Sequence, residues 1–199
     1  MTEVNRNGEG NPTPEWLLEQ VEALVSSILS MSGWSYNEAK TIVYWCIGTY
    51  GYDRLQKFPV LVIQGPLNTG KTKALNMIEQ LAKLSPRSNR REAMRLSGDL
   101  TKAVNRDMLA KGGTHVIEEA DSFTEMFVNK VFDKFTGDMT VNQAYGEFGG
   151  FGKVNLKVNS AIALHRRQPF KDPATHSRSI PLHTTKVNLD SPGKQAPNM

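Results

Sequence analysis

Residues 58–82 read FPVLVIQGPLNTGKTKALNMIEQLA, and no other stretch of this 199-residue chain limits its fold so tightly. PVLVIQ is a short, continuously apolar run, the pattern of a strand buried on both faces. KTKALNMIEQLAKL follows with helical spacing and stops at Pro86. Between them lies GPLNTGKT, with Gly65, Gly70, Lys71 and Thr72 at the spacing G-x-x-x-x-G-K-[ST]. A strand, a glycine-bounded loop and a helix in that order predict an α/β domain.

The same loop predicts an anion site. Its glycines allow backbone angles that turn amide N–H groups toward a phosphate. The helix that follows presents unpaired N–H donors and the positive end of its dipole. The Lys71 ammonium suits the β- and γ-phosphates, and the Thr72 hydroxyl is a hard ligand for Mg²⁺. The expected cradle is therefore Gly65, Pro66, Asn68, Thr69, Gly70, Lys71, Thr72 and Lys73, with ATP and Mg²⁺ as its ligands.

Hydrolysis would need acidic groups at a second strand end. HVIEEAD, residues 115–121, supplies them: a strand through Val116 and Ile117, then Glu118 and Glu119 at its carboxyl end, where ligands of such folds lie. Glu118 is expected in the metal's water shell and Glu119 as the base that polarises the attacking water. Glu118 is one methylene longer than the aspartate usual at that place. Asp121 or Ser122 reads as the cap of a following helix.

The rest of the chain alternates in the same manner. Residues 1–13 are polar and arm-like. A helix is expected from Thr13 with Pro14 in its first turn, carrying Trp16, Leu17, Val21, Leu24, Ile28 and Met31 as an apolar stripe. SYNE is a capping box for a second helix, Ser35 with Glu38. EAMRLSG, THVIEEA, NSAIALH and RSIPLHT read as further strands, with helices over 99–112 and 122–137. Residues 138–158 alternate, with Gly and aromatics interleaved, and predict a hairpin. The expected organisation is an arm at 1–13, a helical appendage at 14–57, a P-loop core at 58–187 and a loose tail at 188–199.

Composition excludes some classes. Hydrophobic residues are 39% of the chain, and no apolar run reaches the ~20 residues of a membrane span. The single cysteine, Cys46, forbids an internal disulfide and suits a reducing, cytoplasmic setting; its apolar surroundings predict a buried structural role. The net charge of +4 is uneven, with basic blocks at 83–106 and 148–199 flanking an acidic 107–147. Basic blocks attract polyanions.

A phosphate loop, an acidic strand end, a further strand and then an arginine is an order that resembles the AAA+ ATPases, over roughly residues 36–187. Within that family the likeness is to helicase-type ATPases of plasmids, phages and other mobile elements. The resemblance implies a three-layer P-loop domain with a mostly parallel sheet. It makes NSAIALHRR the strand whose polar end meets the γ-phosphate or the attacking water; His165 falls there, with Ser160 and Asn159 as alternatives. It makes Arg178, in ATHSRSIPL, a finger for the nucleotide of a neighbouring subunit, which implies a homo-oligomeric ring. It also makes 138–158 a DNA-gripping hairpin, with Tyr145, Phe148, Phe151, Lys153 and Lys157 as contacts. Arg87, Arg90, Arg91 and Arg95 form a second basic cluster. About a dozen residues follow Val187, so the family's helical lid is expected to be missing, truncated or supplied by something else.

Three functions stay open on the sequence. The first is an ATP-driven helicase-like motor on DNA. The second is an ATP-gated loader or regulator of a protein partner in replication or transposition. The third is a P-loop kinase.

Overall fold

The computed structural model describes residues 13–31, 34–55, 58–83, 94–97, 112–123, 138–145, 150–157 and 160–184. Five strands form one sheet: β1 (Val60–Gln64), β2 (Met94–Ser97), β3 (Thr114–Glu118), β6 (Ala161–Arg166) and β7 (Ser179–His183). Their order is β2-β3-β6-β1-β7, and every pairing is parallel. β4 (Asp138–Tyr145) and β5 (Gly150–Lys157) pair separately as an antiparallel ribbon. Among the described residues the helices are α1 (Pro14–Met31), α2 (Tyr36–Gly48), α3 (Lys71–Leu81) and the short α4 (Pro173–Ser177), and the helix expected over 99–112 lies outside them save for residue 112.

The apolar strand runs explain the layering. Leu61, Ile63, Val116, Ala161 and Ala163 share one hydrophobic cluster with α1, α2 and α3. Strand alternation turns Val62, Ile117, Ile162 and Leu164 to the opposite face, and these are just as deeply buried. Both faces are covered, so the fold is α/β of three-layer type. Each fully buried side chain of Leu or Ile size, such as Leu61, Ile63, Leu75 or Ile78, contributes about 1.5–3 kcal/mol. Cys46 is buried in this cluster, and burial pushes its thiol up to about 12, as a structural cysteine requires.

The N-terminal helices are stitched to the sheet at the amino ends of its strands. The capping box forms: Ser35 N–H donates to Glu38 Oε2 at 2.7 Å, and Glu38 N–H donates to Ser35 Oγ at 3.4 Å. Trp45 Nε1–H donates to the Pro59 carbonyl at 2.9 Å, at the entrance to β1. The Tyr52 hydroxyl accepts from Gly113 N–H at 2.9 Å, at the entrance to β3. The carboxyl ends of the strands are thereby left for other uses. The expected α1 stripe is buried only in part: Val21 and Ile28 pack inward, joined by Val25, while Trp16 and Leu17 are exposed. Residues 13–20 are all exposed, so the first turns of α1 project past the surface that covers the rest.

β7 is the last strand in the order, which explains its proline. Thr184 N–H donates to Gln64 O at 2.7 Å, so alternate residues turn their N–H toward β1 and Pro181 faces away. The N–H that proline lacks is one the ladder with β1 does not use.

Candidate nucleotide site

The loop after β1 has the backbone its glycines predict. Gly65 has φ +147°, and a Cβ there would lie 2.1 Å from Thr184 Oγ1 and 2.6 Å from the Thr184 carbonyl oxygen. Gly70 is left-handed, with φ +85°, and caps α3 with no side-chain hydrogen bond. Asn68 is also left-handed, with φ +62°, a conformation that asparagine tolerates better than most residues. The first amide bonded within α3 is Ala74 N–H, to Gly70 O at 3.1 Å. The amides at the start of this helix are therefore left to other acceptors.

Lys71 opens α3 and is buried, with 7% of its surface exposed. Its Nζ folds back over the loop and donates to Gly65 O at 2.8 Å and to Pro66 O. Burial lowers its pKa, and the positive charge of Arg167 adds to that, against the pull of Asp121. Thr72 and Lys73 are exposed at the helix start.

Strand order decides what stands beside the loop. β6 lies between β1 and β3, with His165 level with Ile63 on β1. On the other flank Ile117 is level with Leu164, so Glu118 comes beside His165 at the end of the ladder. His165 Nε2 accepts from the Glu119 backbone N–H at 3.3 Å, so in the neutral ring Nδ1 carries the proton. Nδ1 is buried and meets no hydrogen-bond partner among the described residues. Glu119 itself is left-handed, with φ +53°. Burial lowers the pKa of His165; Lys71 lowers it further, while Glu118, Asp121 and Glu119 oppose the shift. One imidazole thus feels both the loop's cation and the acidic strand end.

The expected residues are therefore brought together unevenly. Lys71, Thr72, Glu118, Glu119 and His165 converge at the carboxyl end of the sheet. Arg178 does not join them. It precedes Ser179, which pairs with Val60, and its carbonyl accepts from Val60 N–H at 3.1 Å. That places it at the amino end of β1, a strand length from the loop.

Ser160 precedes β6 at the amino end, away from the loop. Asn159, Phe148, Arg87, Arg90 and Arg91 lie outside the described residues, and Arg95 falls within β2. On the ribbon, Phe151, Lys153 and Lys157 occupy alternate positions of β5, whereas Tyr145 pairs with Gly150 and takes the other parity.

Two residues matter here that the sequence did not single out, Thr184 and Arg167, and a third, Asp121, has another role than expected. The Thr184 hydroxyl donates to Gln64 O at 3.0 Å and is hydrogen-bonded to Thr69, so the end of β7 braces the loop. Asp121 does not cap a helix. It lies in a 3₁₀ turn, Ala120–Ser122, and its carboxylate accepts from Arg167 N–H at 2.9 and 3.1 Å. Phe123 is extended, and the rest of the helix expected over 122–137 lies outside the described residues. Arg167 is the second residue not singled out. The pair HRR at 165–167 was the available signal for it, but only the pairing of β6 shows which arginine reaches the site side.

No protein-family model matches the chain, and no curated protein does. Among solved structures it is similar to the active helicase Cch of SCCmec type IV, with a TM-score of 0.47 and 14% sequence identity. The likeness covers 73% of this chain and 28% of that one, so the chain spans little more than a quarter of the helicase's length. Among the described residues no helix is long and apolar enough to cross a membrane.

Proposed function

We propose that the chain binds ATP with Mg²⁺ at residues 65–73 and hydrolyses it, as a AAA+-type ATPase acting on DNA in the manner of a helicase motor. One observation carries this reading: β6 sets His165 between the loop of Lys71 and the Glu118–Glu119 strand end. A γ-phosphate seated on the loop would face that strand end directly.

The residues fit the ligands. The uncapped start of α3 and the loop amides suit a phosphate chain. Lys71 Nζ would exchange two loop carbonyls for phosphate oxygens, which is favourable for an ammonium already drawn out of water. The exposed Thr72 hydroxyl and the Glu118 carboxylate would hold Mg²⁺, which when bound neutralises charge on the β- and γ-phosphates. Glu119 would orient and polarise the attacking water. His165, through the Glu119 backbone, would set where that carboxylate stands. Arg178 would act on the neighbouring subunit's nucleotide, since it sits a strand length from its own loop. The β4–β5 ribbon would be the DNA-facing element, using Phe151, Lys153 and Lys157 on one face, with Tyr145 and Phe148 as the other expected contacts.

The loader or regulator reading is favoured by a different observation. Tyr44, Ile47, Tyr50 and Leu55 are all exposed around the end of α2, and apolar surface of that kind suits a protein partner.

ATPase activity measured with and without single-stranded and duplex DNA, alongside sizing with ATP present, tests both. A motor gives turnover stimulated by DNA and an ATP-favoured oligomer. Turnover indifferent to DNA, with nucleotide-dependent capture of a replication protein, selects the loader. Absence of ATP binding overturns both.

A further inference from the structure

Arg167 stands where no motif placed it. Gln64 of β1 is level with Arg166 of β6, so the next position brings Arg167 beside Gly65, the first residue of the loop. On its other side the backbone is anchored to Asp121, whose two carboxylate oxygens accept the Arg167 N–H. Its backbone is therefore held by the end of the β1–β6 ladder on one side and by the Asp121 carboxylate on the other. The guanidinium is held much more loosely. Its Nε lies 4.0 Å from Asp121 Oδ2, and the side chain is 61% exposed. An exposed pair at that distance contributes little and is readily exchanged for a better anion.

Lys71, whose Nζ reaches the Gly65 carbonyl, and Arg167, one residue past the last β1–β6 pair, thus both stand at the start of the loop. Such a pair is unfavourable without an anion between them and favourable with one. Lys71 belongs to the loop side. Arg167 belongs to the side of Asp121 and Glu119, nearest to where water would attack. The phosphate it can meet is the terminal one.

Given the nucleotide reading above, on which this rests, we propose that Arg167 is a second, same-subunit cation for the γ-phosphate, parked on Asp121 until a triphosphate draws it across. A planar guanidinium can take two phosphate oxygens at once, which an ammonium cannot. The site would then distinguish triphosphate from diphosphate within a single subunit, before any neighbour contributes Arg178.

Calorimetric titration of the full chain with a non-hydrolysable ATP analogue and with ADP, both with Mg²⁺, tests this. Arg167→Ala keeps the backbone bond to Asp121, so the fold should stand, and thermal melting checks that. The analogue should bind about tenfold more weakly, while ADP affinity stays within about twofold. Arg167→Lys should recover only part of the loss. Asp121→Asn still accepts the Arg167 N–H but frees the guanidinium, and should bind the analogue as well as wild type or better. Equal loss for analogue and ADP, or no loss for either, overturns the proposal. So does a weakened Asp121→Asn. Lys71→Ala separates the two ideas. If wild type binds and Lys71→Ala does not, an unchanged Arg167→Ala removes only Arg167. If wild type binds neither nucleotide, both ideas fall.

Discussion

The starts of α2 and α3 face the same physical problem and solve it differently. Each leaves N–H groups without partners inside the helix. At α2 the chain answers from within, with the reciprocal bonds of Ser35 and Glu38. At α3 it supplies a left-handed glycine and no capping side chain, and puts a buried lysine on the first turn. A capped start contributes stability and is finished. An uncapped start beside a cation is less stable by itself and complete only with an anion. The local chemistry of these two helix ends divides scaffold from site.

The largest test of that division is Gly65→Ala. The new methyl would meet Thr184 at 2.1 Å, at a φ that disfavours side chains. We expect a loss of about 3–4 kcal/mol in stability, together with loss of ATP binding, read by urea unfolding and titration. A neutral result would mean that the loop does not need this backbone.

Acid applies the contrast to a strand. His115 is fully buried, and neither ring nitrogen has a hydrogen-bond partner among the described residues. Burial lowers its pKa from 6.5 to about 4. The neutral ring is favoured in the fold, so its contribution is complete above pH 6.5 and is lost as pH falls toward 4. Integrated over that window the loss is about 3 kcal/mol. Urea unfolding between pH 7 and pH 4.5 should show this slope, and His115→Phe should flatten it.

Lys71→Ala should weaken ATP about a hundredfold, near 2.7 kcal/mol, with little change in melting temperature. A large drop in melting temperature with affinity intact would make Lys71 a packing residue.

Ser35→Ala is the smallest change and the mirror image. It should cost about 1 kcal/mol of stability and leave nucleotide affinity unchanged. If Ser35→Ala altered ATP binding, the two helix starts would not be independent.

Much of this was legible in the chain. The capping box, the loop's glycines, the buried runs of β1, β3 and β6 and the 138–158 ribbon follow from residues a few positions apart. Asp121 was misread because an acidic residue followed by serine after a strand is locally indistinguishable from a helix cap. Its true acceptor role depends on Arg167, 46 positions away. Thr184 gave no local signal, because its role depends on Gln64, 120 positions away.

The sequence by itself was enough to expect the described strands, α1 to α3 and the glycine-bounded backbone of the loop after β1, because those properties depend on near-neighbour backbone angles, caps and hydrophobic periods. Tertiary structure alone decided that β6 enters between β1 and β3. That choice puts His165 and Arg167 between Lys71 and the carboxylates, and the parallel pairing of β7 with β1 leaves Arg178 at the far end. Strand order is set by which apolar faces bury one another across the whole chain, and no local period records it.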